Sequence, residues 1–295
     1  MDGRIIKGIG GFYYVAVKNG EIYECRARGL FRKDRVKPLV GDNCRIDIID
    51  KNDKTGNITD ILPRKNELIR PNVANIDQAL IVFAIKQPDP NFVMLDKLII
   101  QYEKQDIPVV IVINKDDLAD ERSMREIADI YAGSGCKLIF TSAKEGDGTG
   151  ELKECLKDRT TSVAGPSGTG KSSLINCLIP DASLKTGEIS KKAERGKHTT
   201  RHSEIFPLFE NTYIMDTPGF SSFDVYDADE EELKDYYHEF DGYDNCRFVP
   251  CSHTHEPGCL IKDAVQSGKI NRVRYDNYCA ILNEILSAHG RYQKC

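Results

Sequence analysis

The chain has 295 residues, of which 40% are apolar and 29% are charged, and its net charge is −5 at pH 7. This composition excludes collagen-like and largely disordered proteins, and the length is sufficient for two or three domains. The apolar runs are far shorter than a membrane span requires, and the N-terminus lacks the apolar core of a secretory signal. We therefore expect a cytoplasmic protein with no membrane contact and with its ten cysteines reduced.

The N-terminal part of the sequence predicts short β-strands separated by turns. Strands are expected over 11–17, 22–28, 43–49 and 57–61. Short strands at this spacing are typical of a small barrel of the oligonucleotide-binding (OB) type, to which we assign residues 1–70.

The charge is distributed unevenly along the chain. Residues 1–70 carry +5, residues 71–220 carry −4 and residues 221–295 carry −6. One stretch of the barrel region holds six cations, namely Arg26, Arg28, Arg32, Lys33, Arg35 and Lys37. The stretch is either a solvated face or an RNA-binding footprint, and its place beside a small barrel favours RNA.

From Asn72 onward, apolar strands alternate with helices. Strands are predicted over 78–85, 109–114, 137–142, 161–164, 203–209 and 211–216, and helices over 91–105, over 121–133 and after residue 170. This alternation implies a mostly parallel sheet, and we assign residues 71–222 to an α/β domain. Residues 223–295 are expected to form a third, α-rich domain with an acidic helical stretch over 229–240, a Cys/His cluster and a helix over about 276–289.

A glycine-rich segment between a predicted strand and a predicted helix matches the phosphate-binding loop G-x-x-x-x-G-K-[ST]. With the serine that follows, its residues are Gly165, Pro166, Ser167, Gly168, Thr169, Gly170, Lys171, Ser172 and Ser173. The glycines allow backbone N–H groups to converge on phosphate oxygens at a helix N-terminus. Lys171 would reach the β- and γ-phosphates, and Ser172 would hold Mg²⁺. The alternative is a glycine turn with an exposed lysine.

Two other strand ends indicate which base the nucleotide carries. The segment from Asn114 through Lys115 to Asp117 reads as N-K-x-D, in which the Asp117 carboxylate accepts hydrogen bonds from guanine N1–H and the 2-amino group. Adenine does not offer these donors, so the unpaired carboxylate would select against it. Ser142, Ala143 and Lys144 follow the next strand, where the Ala143 N–H would meet guanine O6. Alternatively, residues 115–117 only cap the next helix.

A further strand end supplies a magnesium and γ-phosphate motif. Residues 216–219 read as D-x-P-G, with Asp216 holding Mg²⁺ through water and the Gly219 N–H sensing the γ-phosphate. Either Thr199 or Thr200 would complete the magnesium shell, and we favour Thr200.

These motifs occur in a rotated order, which a parallel sheet tolerates because its original termini are neighbours. The order, the preceding barrel and the following Cys/His cluster resemble the circularly permuted GTPases that depend on the small ribosomal subunit. The resemblance implies a monomeric GTP hydrolase that binds the 30S subunit and 16S rRNA. It would couple hydrolysis to late 30S maturation and to its own release. A GTP-dependent scaffold with little turnover, a large-subunit assembly GTPase and a small-molecule kinase remain alternatives.

The resemblance also implies one structural zinc ion. The zinc-binding pattern of that family fits Cys246, Cys251, His253 and Cys259, a Cys₃His set that completes a tetrahedral site. His255 is a possible substitute ligand, and unmetallated or redox-active thiols are the other alternative. The remaining seven cysteines show no ligand spacing and are expected to be core or surface residues.

Hydrolysis by the free protein should be slow. Phe220 occupies the position where many GTPases carry the glutamine that orients the attacking water, and an apolar side chain cannot do so. His198, His202, an ordered water or the ribosomal subunit could supply the missing group. The sequence between 184 and 201 is rich in lysine and arginine, which favours an RNA contact that stimulates hydrolysis; a solvated loop is the alternative.

Overall fold

The computed structural model describes residues 1–27, 37–68, 72–178, 204–209, 211–216, 230–243 and 245–292. The chain divides into two compact units, each built from three separate stretches. The first unit comprises Met1–Ala79, Leu152–Ala164 and Ile175–Phe220, and the second comprises Leu80–Glu151, Gly165–Leu174 and Ser221–Cys295.

The first unit contains a closed five-stranded barrel. Its strands are β1 (Asp2–Ile9), β2 (Phe12–Val17), β3 (Ile22–Ala27), β4 (Asn43–Asp50) and β5 (Thr55–Ile61). They pair in the order β1-β2-β3-β5-β4, and β4 also pairs with β1, which closes the barrel. The short strands β6 (Glu67–Leu68) and β7 (Val73–Ala74) form a separate antiparallel pair. The predicted OB-type barrel is confirmed.

Strand β1 was missed by sequence reasoning. The pairing of β1 with β2 shifts register between Ile5 and Lys7, so that Ile5 and Ile6 are both buried. This bulge breaks the alternation of apolar and polar residues that identifies a strand in sequence.

The α/β part begins after the barrel. Its first elements are β8 (Gln78–Ala84), α1 (Phe92–Glu103), β9 (Val109–Asn114), α2 (Glu121–Tyr131), β10 (Lys137–Thr141) and α3 (Thr149–Leu156). Strands β9 and β10 are parallel, and every residue of β8 and β9 is buried, as in a sheet covered on both faces. Asn91 and Asp120 cap α1 and α2 by accepting hydrogen bonds from the backbone N–H groups of Met94 and Ser123.

The remaining strands extend the sheet of the first unit. Strand β11 (Thr160–Ala164) precedes α4 (Lys171–Leu178), and β12 (Glu204–Phe209) and β13 (Thr212–Asp216) follow. Strand β11 pairs in parallel with β13, and β12 pairs antiparallel with both β13 and the barrel strand β1. Asp216 thereby lies opposite Val163. Val163 is two residues before Gly165, where the glycine-rich loop begins.

The C-terminal part packs around aromatic residues. The described part of the predicted acidic helix forms two short 3₁₀ turns, Leu233–Tyr236 and His238–Phe240, because Tyr237 adopts φ −112° and ψ 82°. That conformation places the Tyr237 ring against Phe240 and Tyr278. Helices α5 (Leu260–Gln266) and α6 (Arg272–Tyr292) follow. No helix in the described ranges is both long and apolar enough to cross a bilayer.

A buried ion network fastens α6 to α1 and α2 within the second unit. Arg274, with 1% of its side chain exposed, donates to Glu239 Oε1 at 2.6 Å and forms an ion pair with the fully buried Asp96. Asp96 also accepts hydrogen bonds from Tyr131 at 2.9 Å and from Asn277 at 2.8 Å. Burial raises the pKa of Asp96, and the Arg274 guanidinium opposes that shift. Because charges of this kind are costly to bury unpaired, the network fixes how these helices pack.

Candidate nucleotide and metal sites

Asn114, at the carboxyl end of β9, connects three segments of the second unit. Its side chain is buried, and its Nδ2 donates to the Thr169 carbonyl oxygen at 2.8 Å. Its Oδ1 accepts hydrogen bonds from Thr141 Oγ1 at 3.2 Å and from the Ala143 N–H at 3.1 Å. One carboxamide therefore joins the glycine-rich loop to the loop that follows β10.

Asp117 is oriented by the same neighbouring loop. It lies in a 3₁₀ turn, Asp116–Leu118, that starts directly after Lys115 in the left-handed conformation (φ 65°). Ser142 Oγ donates to Asp117 Oδ1 at 2.7 Å, and Lys144 Nζ lies 3.8 Å from Asp117 Oδ2. Only 15% of the Asp117 side chain is exposed. The carboxylate is thus held in one orientation with one oxygen toward Lys144.

Lys115 supports the glycine-rich loop from the side of β9. Its Nζ donates to the Gly168 carbonyl oxygen at 2.8 Å and to the carbonyl oxygen of Gln87. Sequence reasoning missed Gln87, because the residue acts through its backbone and the sequence carries no signal for such a contact.

Two positions of the loop require glycine because neighbouring atoms lie too close for a Cβ. At position 165, where φ is +133°, a Cβ would lie 2.1 Å from the Val82 carbonyl oxygen. At position 170, where φ is +88°, a Cβ would lie 2.3 Å from Asn114 Nδ2. Because only glycine fits both the conformation and the space, Gly165 and Gly170 set the path of the loop.

The loop holds a cation at the start of α4. Lys171 Nζ donates to the Gly165 carbonyl oxygen at 2.8 Å and to the Pro166 carbonyl oxygen at 2.6 Å. Helix α4 begins at Lys171, and the first N–H groups of a helix lack acceptors within the helix. The ammonium group and the helix start together suit an anion, as the sequence motif predicts.

Several predicted site residues lie outside the described residues. They are Thr199, Thr200 and Gly219, together with Phe220, His198, His202, the basic segment 184–201 and four of the six barrel cations, Arg28, Arg32, Lys33 and Arg35. For Asp216 the backbone places the residue at the carboxyl end of β13, the position that the motif requires.

Four potential metal ligands converge in the C-terminal part of the second unit. The ligand atoms of Cys246, Cys251, His253 and Cys259 all lie within 4.8 Å of one another. His253 Nδ1 is 3.4 Å from Cys259 Sγ and 3.7 Å from Cys246 Sγ. Burial and the neighbouring sulfur atoms raise the pKa of Cys251 to about 12. Three thiols and one imidazole at this separation fit a tetrahedral zinc ion, which would displace the thiol protons.

Helix α6 holds the backbone of this cluster. Tyr275 donates to the His253 carbonyl oxygen at 2.8 Å, and Tyr278 donates to the Ser252 carbonyl oxygen at 3.0 Å. These bonds bring His253, rather than the exposed His255, among the sulfur atoms.

The described cysteines outside the cluster have ordinary environments. Cys25 and Cys44 are buried in the barrel, which raises their pKa values to about 11 and about 12. Cys136, Cys155 and Cys279 are half-buried, and Cys177 is exposed.

Comparisons with known proteins agree with this architecture. Residues 61–226 match the family model described as RsgA GTPase, and residues 2–58 match the RsgA N-terminal domain. A small ribosomal subunit biogenesis GTPase RsgA from Agathobacter rectalis is 53% identical, over 97% of this chain and 98% of its own. A relative of the same name from Caldanaerobacter subterraneus is 48% identical, over 100% of this chain and 99% of its own.

Two solved structures resemble the whole chain. The crystal structure of YjeQ from Thermotoga maritima has a TM-score of 0.81 and 38% identity, covering 97% of this chain and 98% of that one. The structure of YloQ, a circularly permuted GTPase, has a TM-score of 0.77 and 33% identity, covering 97% and 95%. The expected order, a barrel followed by a permuted GTPase fold, is confirmed.

Proposed function

Because the chain belongs to the RsgA GTPase family, we propose that it hydrolyses GTP to GDP and phosphate on the small ribosomal subunit. Hydrolysis would accompany late maturation of the 30S subunit and release of the protein from it. The observation that carries the proposal is the Asn114 carboxamide, which holds the glycine-rich loop and the loop after β10 in one arrangement.

The base would be read by Asp117. Its carboxylate, oriented by Ser142, would accept hydrogen bonds from guanine N1–H and the 2-amino group. The Ala143 N–H donates to Asn114 and would be shared with guanine O6. Lys115 supports the glycine-rich loop, and Lys144 lies next to the Asp117 carboxylate.

The phosphates would be held by the loop from Gly165 to Ser173. Lys171 would exchange the carbonyl oxygens of Gly165 and Pro166 for phosphate oxygens, since an anion is the stronger acceptor. Loop N–H groups would bind the remaining phosphate oxygens.

Magnesium would be held by Ser172, Thr200 and Asp216, and the Gly219 N–H would contact the γ-phosphate. The ion neutralises negative charge on the phosphate oxygens during transfer. Phe220 cannot orient the attacking water, so the free protein would hydrolyse GTP slowly.

The cluster of Cys246, Cys251, His253 and Cys259 would hold one structural zinc ion, since its four protein ligands leave no open position. We place the protein in the cytoplasm, as a monomer that contacts 16S rRNA through its barrel region.

We expect 30S subunits to stimulate GTP hydrolysis roughly tenfold or more, which corresponds to about 1.4 kcal/mol of activation free energy. Phosphate release should be measured with the protein alone, with 30S subunits and with 50S subunits, and ATP should serve as the substrate control. Stimulation by 50S subunits only, or none by 30S subunits, would contradict the proposal.

The Asp117→Asn variant should prefer xanthine nucleotides to guanine nucleotides. An amide N–H repels the guanine 2-amino group but donates to the 2-oxo group of xanthine, so affinity for GDP should fall about 100-fold, or about 2.7 kcal/mol. Titration with fluorescent GDP and xanthosine diphosphate measures both changes, and Asp116→Asn is the matched control. An equal loss of affinity for both nucleotides would argue against recognition of the base by Asp117.

The purified protein should contain one zinc ion per chain. Cys251→Ser should lower both the zinc content and the urea midpoint of unfolding, because metal binding contributes directly to folding. Cys177→Ser, at an exposed cysteine outside the cluster, should change neither. Undiminished zinc in Cys251→Ser, measured by elemental analysis, would exclude Cys251 as a ligand.

A further inference from the structure

The outward face of β2 carries two aromatic rings that the barrel core does not use. Tyr13, Val15 and Val17 face the core. Because side chains alternate along a strand, Phe12 and Tyr14 point outward, and both are partly exposed. Rings at this i, i+2 spacing lie about 7 Å apart on one face.

Cross-strand neighbours surround these rings on the same face. Arg26 of β3 lies opposite Phe12, with its guanidinium carbon 4.6 Å from the Phe12 ring centroid. On the other side, Ile9 of β1 lies opposite Phe12 and is 40% exposed, and Lys7 lies opposite Tyr14. The face therefore combines two rings, an exposed aliphatic side chain and two cations.

Carboxylates also neighbour these side chains, since Glu204 of β12 lies opposite Lys7 and Glu24 contacts Tyr14. Glu24 is opposite Tyr14 and accepts a hydrogen bond from its hydroxyl at 3.0 Å. That bond fixes the Tyr14 ring from its polar end and leaves the ring faces apolar.

These features match the chemistry of unpaired bases better than that of a duplex. Exposed aromatic rings and arginine planes bind the faces of bases, which are available only where the bases are not stacked within a helix. The nearby cations suit the phosphates of the same strand. A guanidinium group has two faces, and when one packs over a phenyl ring the other can stack on a base.

We propose that Phe12, Tyr14 and Arg26 form a stacking platform for successive unpaired bases of single-stranded RNA. The inference rests on the proposed function for its natural source of RNA, the small ribosomal subunit. The platform itself is a property of the barrel face and is tested separately from hydrolysis.

The test uses the full-length protein and a fluorescein-labelled, unstructured RNA of about 12 nucleotides, within the range that one such barrel covers. Phe12→Ala and Tyr14→Ala should each weaken binding roughly 5- to 150-fold, the loss expected for one stacked base. Tyr14→Phe keeps the ring and should retain the affinity. Ile49→Ala, at a 67% exposed apolar residue of β4, is the matched surface control.

Salt dependence separates stacking from charge. Phe12→Ala should weaken binding equally at all salt concentrations, whereas Arg26→Ala should also reduce the slope of log affinity against log salt by about 0.7. Urea midpoints and GTP hydrolysis without subunits should remain those of the unchanged protein, since none of these residues lies in the nucleotide site.

Two outcomes would overturn the platform. One is RNA binding by Phe12→Ala and Tyr14→Ala at the affinity of the unchanged protein. The other is loss of 30S binding in these variants while the unchanged protein does not bind the RNA, which would assign the face to a protein partner. Hydrolysis by the unchanged protein with 30S subunits is measured in parallel. If 30S subunits do not stimulate hydrolysis, the proposed function is wrong. The RNA affinities of the variants test the platform independently of that result.

Discussion

A single buried carboxamide organises the candidate nucleotide site. Asn114 uses its N–H group on the glycine-rich loop and its oxygen on the loop after β10, while the adjacent Lys115 reaches the same glycine-rich loop. Gly170 has to lack a Cβ because the Asn114 amide occupies that space. Asn114 therefore links the glycine-rich loop to the loop after β10 through hydrogen bonds of one side chain.

This arrangement explains why a rotated order of motifs is compatible with one site. The glycine-rich loop, which follows Asn114 by about fifty residues in the chain, is joined to it by a side-chain hydrogen bond rather than by sequence proximity. The carboxyl ends of parallel strands meet at one sheet edge whatever the order of the strands. The Arg274 network similarly joins α6 to α1 across the sequence, and the Cys/His cluster belongs to the same compact unit.

Sequence reasoning is most informative where a motif lies in contiguous residues. The glycine-rich loop is identifiable because close approaches to neighbouring atoms require glycine at positions 165 and 170. The short spacing from Cys246 to Cys259 is compatible with four ligand atoms that lie within 4.8 Å of one another. Sequence reasoning missed β1 because a bulge hides the alternation, and it expected a longer helix where Tyr237 turns inward. Contacts of Gln87 through its backbone, and of Asp96 with Arg274, have no local signature in the sequence.

The rate at which fluorescent GDP dissociates from the Asn114→Ala variant tests the organising role of Asn114 most directly. Removing its hydrogen bonds should accelerate dissociation roughly 10- to 100-fold, since each bond contributes about 1 kcal/mol. Asn66→Ala is the matched control, because Asn66 makes two comparable bonds to the backbone of Ile76 in the first unit, and its dissociation rate should not change. A folded Asn114→Ala variant that releases GDP at the unchanged rate would contradict the account.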